Sequence, residues 1–463
     1  MDSANCGLLT DLYQLNMLQA YLEHGVTGTA VFEFFVRDVP ERRNFLIAAG
    51  QEPAFDYLEN LRFSEDDLAW LAGSGRFSRQ VIDYLRDFRF TGTVNAMPEG
   101  TVLFANEPVL QVIAPLPMGQ LVESRLINLL QFQTMIASKA ARMMLAAPGK
   151  VLVDFGLRRA HGAEAGVMAA RASYLAGFAG TATVLAGKLY GLPLYGTMAH
   201  SFIEAWDDEA AAFEAFARAR PDSLVFLIDT YDTLAAARKV VGLAPRLRAA
   251  GITIRAVRLD SGDLAALSKD VRQILDAGGL NEVTIFASGG LDEYEIARLL
   301  AAGAPIAGFG VGTSLTTSSD RPALDCAYKL QEYAGVARRK YSSGKSTWPG
   351  RKQVWRRLGA DGRIAGDVIS LADDRQEGEP LLVPAMREGR RIGAAQTLAQ
   401  GRERVARELE RLPAPLRGLD RAEPYPVAVG DALKRLAAEV DRRLEHDPEK
   451  WEPVFGKDHA PRR

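Results

Sequence analysis

Residues 254–290, IRAVRLDSGDLAALSKDVRQILDAGGLNEVTIFASGG, hold one complete unit of the architecture that the rest of the chain repeats. An apolar run at 254–259 ends in Asp260-Ser-Gly-Asp263, an amphipathic segment spans 264–277, and a second apolar run at 283–287 ends in Ser288-Gly-Gly. Continuous apolar strands joined through a helix of this length predict a βαβ unit with parallel strands. The alternation extends outward on both sides. Further apolar runs fall at 151–153, 183–186, 192–195, 223–228 and 306–309, with helical stretches at 163–179, 202–219, 233–250 and 293–302. Right-handed crossovers repeated this often give either an open doubly wound sheet or a closed barrel. A barrel is expected, because barrels build phosphate sites at their late strand ends, where two glycine clusters fall here.

The flanking segments read differently. A first helix is expected after Thr10 or Asp11, ending at Gly25, and a buried strand over 29–36. Residues 52–90 read as charged helices, 91–117 as a small sheet and 120–147 as a long helix. Beyond 318 a basic segment interleaves Lys340, Lys345 and Lys352 with Ser, Gly and Pro. Such a loop suits several phosphates better than packing. Short strand-like pieces, a charged helix around 402–412 and a mobile Pro-rich tail complete the chain. The fold class expected is α/β, an irregular parallel α/β barrel with an N-terminal α/β domain completed by C-terminal segments. Its parts are an N-terminal domain over 1–118, a barrel over 119–335 and C-terminal segments over 336–463.

Composition narrows the function. A formal net charge of −2 over 463 residues argues against nucleic acid or a membrane surface as partner. Cys6 and Cys326 form no C-x-x-C pair, which excludes a cysteine zinc site. No secretory signal or membrane-spanning run is visible, so a cytoplasmic location is expected.

His200 stands where an apolar run gives way to a helical pattern, in YGTMAHSFIEAW at 195–206. Asp229 ends another run and could accept a hydrogen bond from His200, fixing the tautomer that makes an imidazole a nucleophile or general base. Arg258, Asp260 and Asp263 put a cation and two carboxylates at one strand end. Such acids can hold ribose hydroxyls or share Mg²⁺ with a polyphosphate, although Asp263 could equally cap the next helix. Ser288-Gly289-Gly290 and Gly310-Val-Gly312-Thr313 let backbone N–H groups approach a phosphate. Arg321 and Lys329 follow the second cluster. Gly344-Lys345-Ser346 mimics the end of a P-loop, but Arg339 stands where that loop needs glycine. G-x-G-x-G at 308–312 lacks the spacing of a dinucleotide fold.

These residues carry a resemblance. The chain resembles the nicotinate phosphoribosyltransferase family, type II phosphoribosyltransferases related to the nicotinamide and quinolinate enzymes. The similarity spans about 10–356 and rests on TDLYQLNM, FEFFVR, DFGLRRAHG, GTATVLAGKLYGLPLYGTMAHSF, LIDTYDT, VRLDSGDL, the SGG turn, GFGVGT and PGRKQVW. It implies a homodimer with active sites shared between one barrel and the neighbour's N-terminal domain. The implied reaction joins nicotinate to 5-phosphoribosyl 1-pyrophosphate, with Mg²⁺ as cofactor and ATP as co-substrate through a phosphorylated histidine.

Residue by residue, the resemblance puts His200 at that histidine and Asp229 at its orienting carboxylate. Phe155 and a neighbour's Tyr13 match the aromatic pair around the pyridine ring. Arg158 and Arg258 match cations near the base and phosphates, and Asp260 the ribose-holding acid. Ser288, Gly289, Gly310 and Gly312 match the 5′-phosphate turns. Arg37, Arg321 and Lys329 match cations for the polyphosphate. Ala182 sits where nicotinamide-using relatives carry an aspartate, so the acid is the expected substrate. Relatives also carry an acidic residue where this chain has Ala199, and no metal ligands are assigned. Alternatives are a nicotinamide- or quinolinate-specific relative, a non-catalytic phosphoribosyl-binding barrel, or an aldolase-like barrel with a Schiff-base lysine, though none of the seven apolar runs ends in lysine.

Overall fold

In the computed structural model, which describes residues 7–341 and 346–445, the βαβ unit read from 254–290 is a strand Ile254–Leu259, a helix Leu264–Ala277 and a strand Thr284–Ser288. These belong to a six-stranded parallel sheet ordered 180–181, 151–154, 308–311, 284–288, 254–259, 224–227. The strand interiors are mostly apolar because helices cover the sheet, and Asp154, Asp229, Asp260, Ser288 and Gly312 stand at or just past strand ends, where the chain turns toward the next segment. Aspartates cap those helices. Asp232 accepts from Ala235 N at 2.7 Å, Asp263 from Ala265 N at 3.1 Å and Asp292 from Glu295 N at 2.8 Å.

The sheet does not close by a ladder between its outer strands, so it is a curled half-barrel. Two expected strands are absent. Residues 183–186 open a helix, Val184–Tyr190, stopped by Gly191 in the left-handed conformation. A short apolar run cannot be told from a helical turn by periodicity. Residues 192–195 contribute only a parallel bridge, Thr181 to Leu194. The expected helix over 202–219 is two, His200–Glu204 and Glu209–Ala219, with Asp208 capping the second.

The other large sheet has seven strands, ordered 336–337, 326–333, 29–36, 108–115, 93–96, 383–387, 390–391. Residues 326–333, expected with the barrel over 119–335, pair antiparallel with Thr29–Val36 instead, Phe32 facing Leu330. The apolar alternation of CAYKLQEY needs that sheet's core: Tyr328 stacks on Phe32 at 5.0 Å between ring centroids. On the opposite flank Val383–Arg387 pairs with Thr93–Ala96. Arg391 ties this late segment to the helix Gln51–Asn60 through Glu52, Asp56 at 2.6 Å and Glu59 at 3.2 Å. The helix Leu398–Arg411 touches both parts. Its Glu408 accepts from Val102 N at 3.3 Å, and its Arg402 donates to the Phe178 carbonyl at 2.6 Å.

The basic segment is less open than its composition suggests. Lys352 is buried, 2.9 Å from Glu33 and bonded to the Gly350 carbonyl at 2.8 Å, so it packs rather than waiting for phosphate. Cys6, Gly344-Lys345 and the tail beyond 445 lie outside the described residues. Among the described residues no helix is long and apolar enough to cross a membrane.

Candidate active site

Parallel strands share one direction, so the polar residues that end them meet at one rim. His200 opens the helix His200–Glu204 at that rim. Its Nδ1 lies 3.2 Å from Thr230 Oγ1, and its Nε2 lies 3.9 Å from Asp260 Oδ2. The other Asp260 oxygen accepts from the Ser288 hydroxyl. Asp229 does not bond His200. Its Oδ2 accepts from Asp260 N at 3.0 Å and from Ser261 Oγ at 2.6 Å, while Oδ1 is buried without a hydrogen-bond partner. The register is the reason: Leu227 faces Arg258 on the neighbouring strand, which brings the Asp260 amide to Asp229. The histidine's partner is Thr230, one residue on. Its hydroxyl at a strand end in LIDTYDT was the available signal.

Arg258 reaches across the rim and donates to the Met198 carbonyl at 3.0 Å, leaving Nε buried and unpartnered. Burial lowers its pKa, against the pull of Asp260 and Asp229, and Arg158 lowers it further. The two arginines thus feel one another beside the same strand ends. Arg158 lies exposed on a single helical turn, Leu157–Arg159.

The glycine turns have little room. Gly289 takes φ +92°, and a methyl group there would meet the Asp260 carbonyl, its carbon at 3.0 Å. At Gly310 a methyl would strike the Phe155 ring, and at Gly312 it would come within 3.2 Å of the Phe155 carbonyl oxygen. Phe155 therefore lies over the second turn. Beside it Asp154 is buried and held in place by Gly156 N at 2.8 Å and Thr181 Oγ1 at 2.7 Å. Burial raises its pKa, and those two donors oppose the rise. Ala182 is exposed, with its amide bonded to the Asp154 carbonyl at 2.8 Å.

The rim therefore unites His200, Asp229, Arg258, Asp260, Ser288 and Gly289, with Phe155, Gly310, Gly312, Arg158 and Ala182 alongside. Tyr13, Arg37, Arg321 and Lys329 have partners outside this group. Lys329 lies 3.6 Å from Glu123, Arg37 2.5 Å from Asp325 and Arg321 3.5 Å from Asp38. Tyr13 is half exposed near Glu123 and Ser124. Burial and then Glu123 raise its pKa.

Three family models match the chain: the nicotinate phosphoribosyltransferase N-terminal domain over 8–131, the nicotinate phosphoribosyltransferase family over 151–346 and its C-terminal domain over 374–437. The chain is 52% identical over 441 residues to nicotinate phosphoribosyltransferase pncB2 of Mycobacterium tuberculosis, covering 95% of this chain and 94% of that one. It is 42% identical over 381 residues to nicotinate phosphoribosyltransferase of Bacillus subtilis, covering 80% and 76%. The crystal structure of human nicotinic acid phosphoribosyltransferase superposes with a TM-score of 0.84 at 30% identity, covering 94% of this chain and all of that one. With matches along nearly its whole length and a rim of acids, cations and glycine turns to go with them, the chain belongs to the nicotinate phosphoribosyltransferase family.

Proposed function

We propose that this chain joins nicotinate to 5-phosphoribosyl 1-pyrophosphate, releasing nicotinate mononucleotide and pyrophosphate in NAD salvage. The observation that carries the reading is the line of contacts from His200 to Asp260 and on to Ser288 and the Gly289 turn. In the reaction the pyridine nitrogen bonds to the anomeric carbon as the bond from that carbon to the pyrophosphate oxygen breaks. Positive charge then builds on the ribose ring and negative charge on the leaving group. Asp260 holds the ribose, and the 5′-phosphate takes backbone N–H groups from the turns at 288–290 and 310–313. Arg158 and Arg258 stabilise anionic oxygens more as charge develops, which lowers the barrier rather than only tightening binding.

Mg²⁺ fits this donor set. No group of three or more His, Cys, Asp or Glu among the described residues forms a metal cluster. This ion, however, is held by one or two carboxylates together with substrate phosphates. The unpartnered Asp229 Oδ1 and the Asp260 carboxylate would supply them. Bound there, it would offset charge on the departing pyrophosphate.

ATP is coupled through His200. With Nδ1–H donating to Thr230, the Nε2 lone pair takes the γ-phosphoryl group as ADP leaves, and water later removes it. The site is completed by Tyr13, Arg37, Arg321 and Lys329 of a second copy in a homodimer. Exposed Leu12 and Tyr13 on one side, and Val184, Leu185 and Leu189 next to Ala182 on the other, support that pairing.

Product analysis with labelled nicotinate and phosphoribosyl pyrophosphate, with and without ATP, tests the reading. Nicotinate mononucleotide should form, faster with ATP, and nicotinamide and quinolinate should be poor substrates. Absence of that product, or better turnover of another pyridine, would overturn it.

A further inference from the structure

Behind the two glycine turns lies a buried cluster of charge. Lys139, on the helix Glu123–Ala146, is 1% exposed. Its ammonium lies 2.7 Å from Glu293 and 2.8 Å from Asp320. Glu293 is the first residue of the helix that follows the turn at 288–290, and Asp320 comes just after the short helix Thr313–Thr316 that follows Gly312. One cation therefore holds the segments that leave both turns.

Two arginines complete the cluster. Arg142 lies 3.3 Å from Glu293, and Arg43, from the N-terminal domain, lies 3.3 Å from Asp320. Arg43 also donates to the Ser318 hydroxyl and to the Met135 carbonyl at 2.8 Å. Ser318 has φ +43°, a left-handed conformation that a residue with a side chain keeps only when its surroundings hold it. Burial alone would raise the pKa of Asp320, but Arg43 and Lys139 hold it well below the usual carboxylate range. Buried ion pairs add little net stability compared with apolar packing, so their use lies elsewhere.

We infer that Lys139 is a positioning residue for the phosphoribosyl substrate, fixing the spacing of the two turns that grip its 5′-phosphate. The inference rests on the turns being that phosphate's site, as proposed above. Lys139→Gln is the informative change, because Glu293 keeps Arg142 and Asp320 keeps Arg43, so neither acid is left buried and unpaired. The link between the two segments is what is lost.

The KM for phosphoribosyl pyrophosphate and the inhibition constant of ribose 5-phosphate should rise about tenfold in Lys139→Gln, a shift within the range of such indirect couplings. The KM for nicotinate and kcat should stay within about twofold, and Lys139→Arg should recover most of the loss. Ser318→Ala, a milder change on the same cluster, should move the ribose 5-phosphate constant in the same direction by about two- to threefold. An unchanged ribose 5-phosphate constant in either loss variant, or a fall in kcat with both KM values unmoved, would overturn the inference. If ribose 5-phosphate fails to compete in the unaltered protein, the assignment of the turns themselves is wrong, a separate failure.

Discussion

Gly289→Ala offers a test in which the structure sets the size of the effect and supplies its own control. Residues 289 and 290 both take positive φ, +92° and +63°. A side chain in the left-handed region costs about 1–2 kcal/mol at either place. Only at Gly289 does a methyl also meet backbone, with the Asp260 carbonyl carbon at 3.0 Å against the usual carbon contact of about 3.5–4.0 Å. At Gly290 nothing lies within 4 Å. At Gly289 the Asp260 carbonyl oxygen lies closer still, so the turn at 289, or the strand end at Asp260, must yield by about 1 Å or more, and a misplacement of about 1 Å at a reacting centre can lower the rate about a hundredfold. Both elements hold the phosphoribosyl group, so the loss should appear in kcat/KM for phosphoribosyl pyrophosphate. Steady-state kinetics and thermal unfolding on the two alanine variants measure it. Both variants should lose stability, and the loss in kcat/KM should be clearly larger in Gly289→Ala than in Gly290→Ala. Equal kinetic losses in the two variants, or unimpaired kinetics in Gly289→Ala, would refute the reasoning.

His200→Ala should abolish the stimulation of nicotinate mononucleotide formation by ATP and leave a slower, ATP-independent rate; retained stimulation in coupled assays would remove the phosphoryl-transfer role. Thr230→Val keeps the shape but removes the oxygen 3.2 Å from His200 Nδ1, so ATP stimulation should fall while the rate without ATP changes little. Ala182→Asp places a carboxylate where nicotinate brings its own. The repulsion should cut kcat/KM for nicotinate by about tenfold or more, and unchanged nicotinate kinetics would count against the assignment.

Legibility in the sequence followed the range of each interaction. The strands 254–259 and 284–288 and the helix between them were readable, because burial of a parallel strand leaves an apolar run and capping leaves an aspartate such as Asp263. The 183–186 run was ambiguous, since a short apolar segment serves a helical turn as well as a strand. Asp229 and His200 were both recognisable as strand-end residues, yet which of them bonds what depends on register between neighbouring strands, which periodicity does not report. Charge pairs that join distant segments were not readable at all. Lys352 looks like a phosphate ligand until Glu33 is found beside it, and Lys139 reads as an ordinary helix residue until its two acids meet it.

The late return of the chain to its first domain also governs how the molecule can be made. The Arg391 amide that bonds Glu59 lies 332 residues further along, so at about 5–20 residues per second the ribosome delivers it about 17–66 seconds after its acceptor. Until then the strand Thr93–Ala96 is an open edge, free to recruit the wrong partner. The half-barrel can mature while still tethered to the ribosome, whereas the first-made domain must be the last to finish. Nascent chains stalled before residue 383 should consequently be sticky, and more dependent on chaperones than the complete polypeptide.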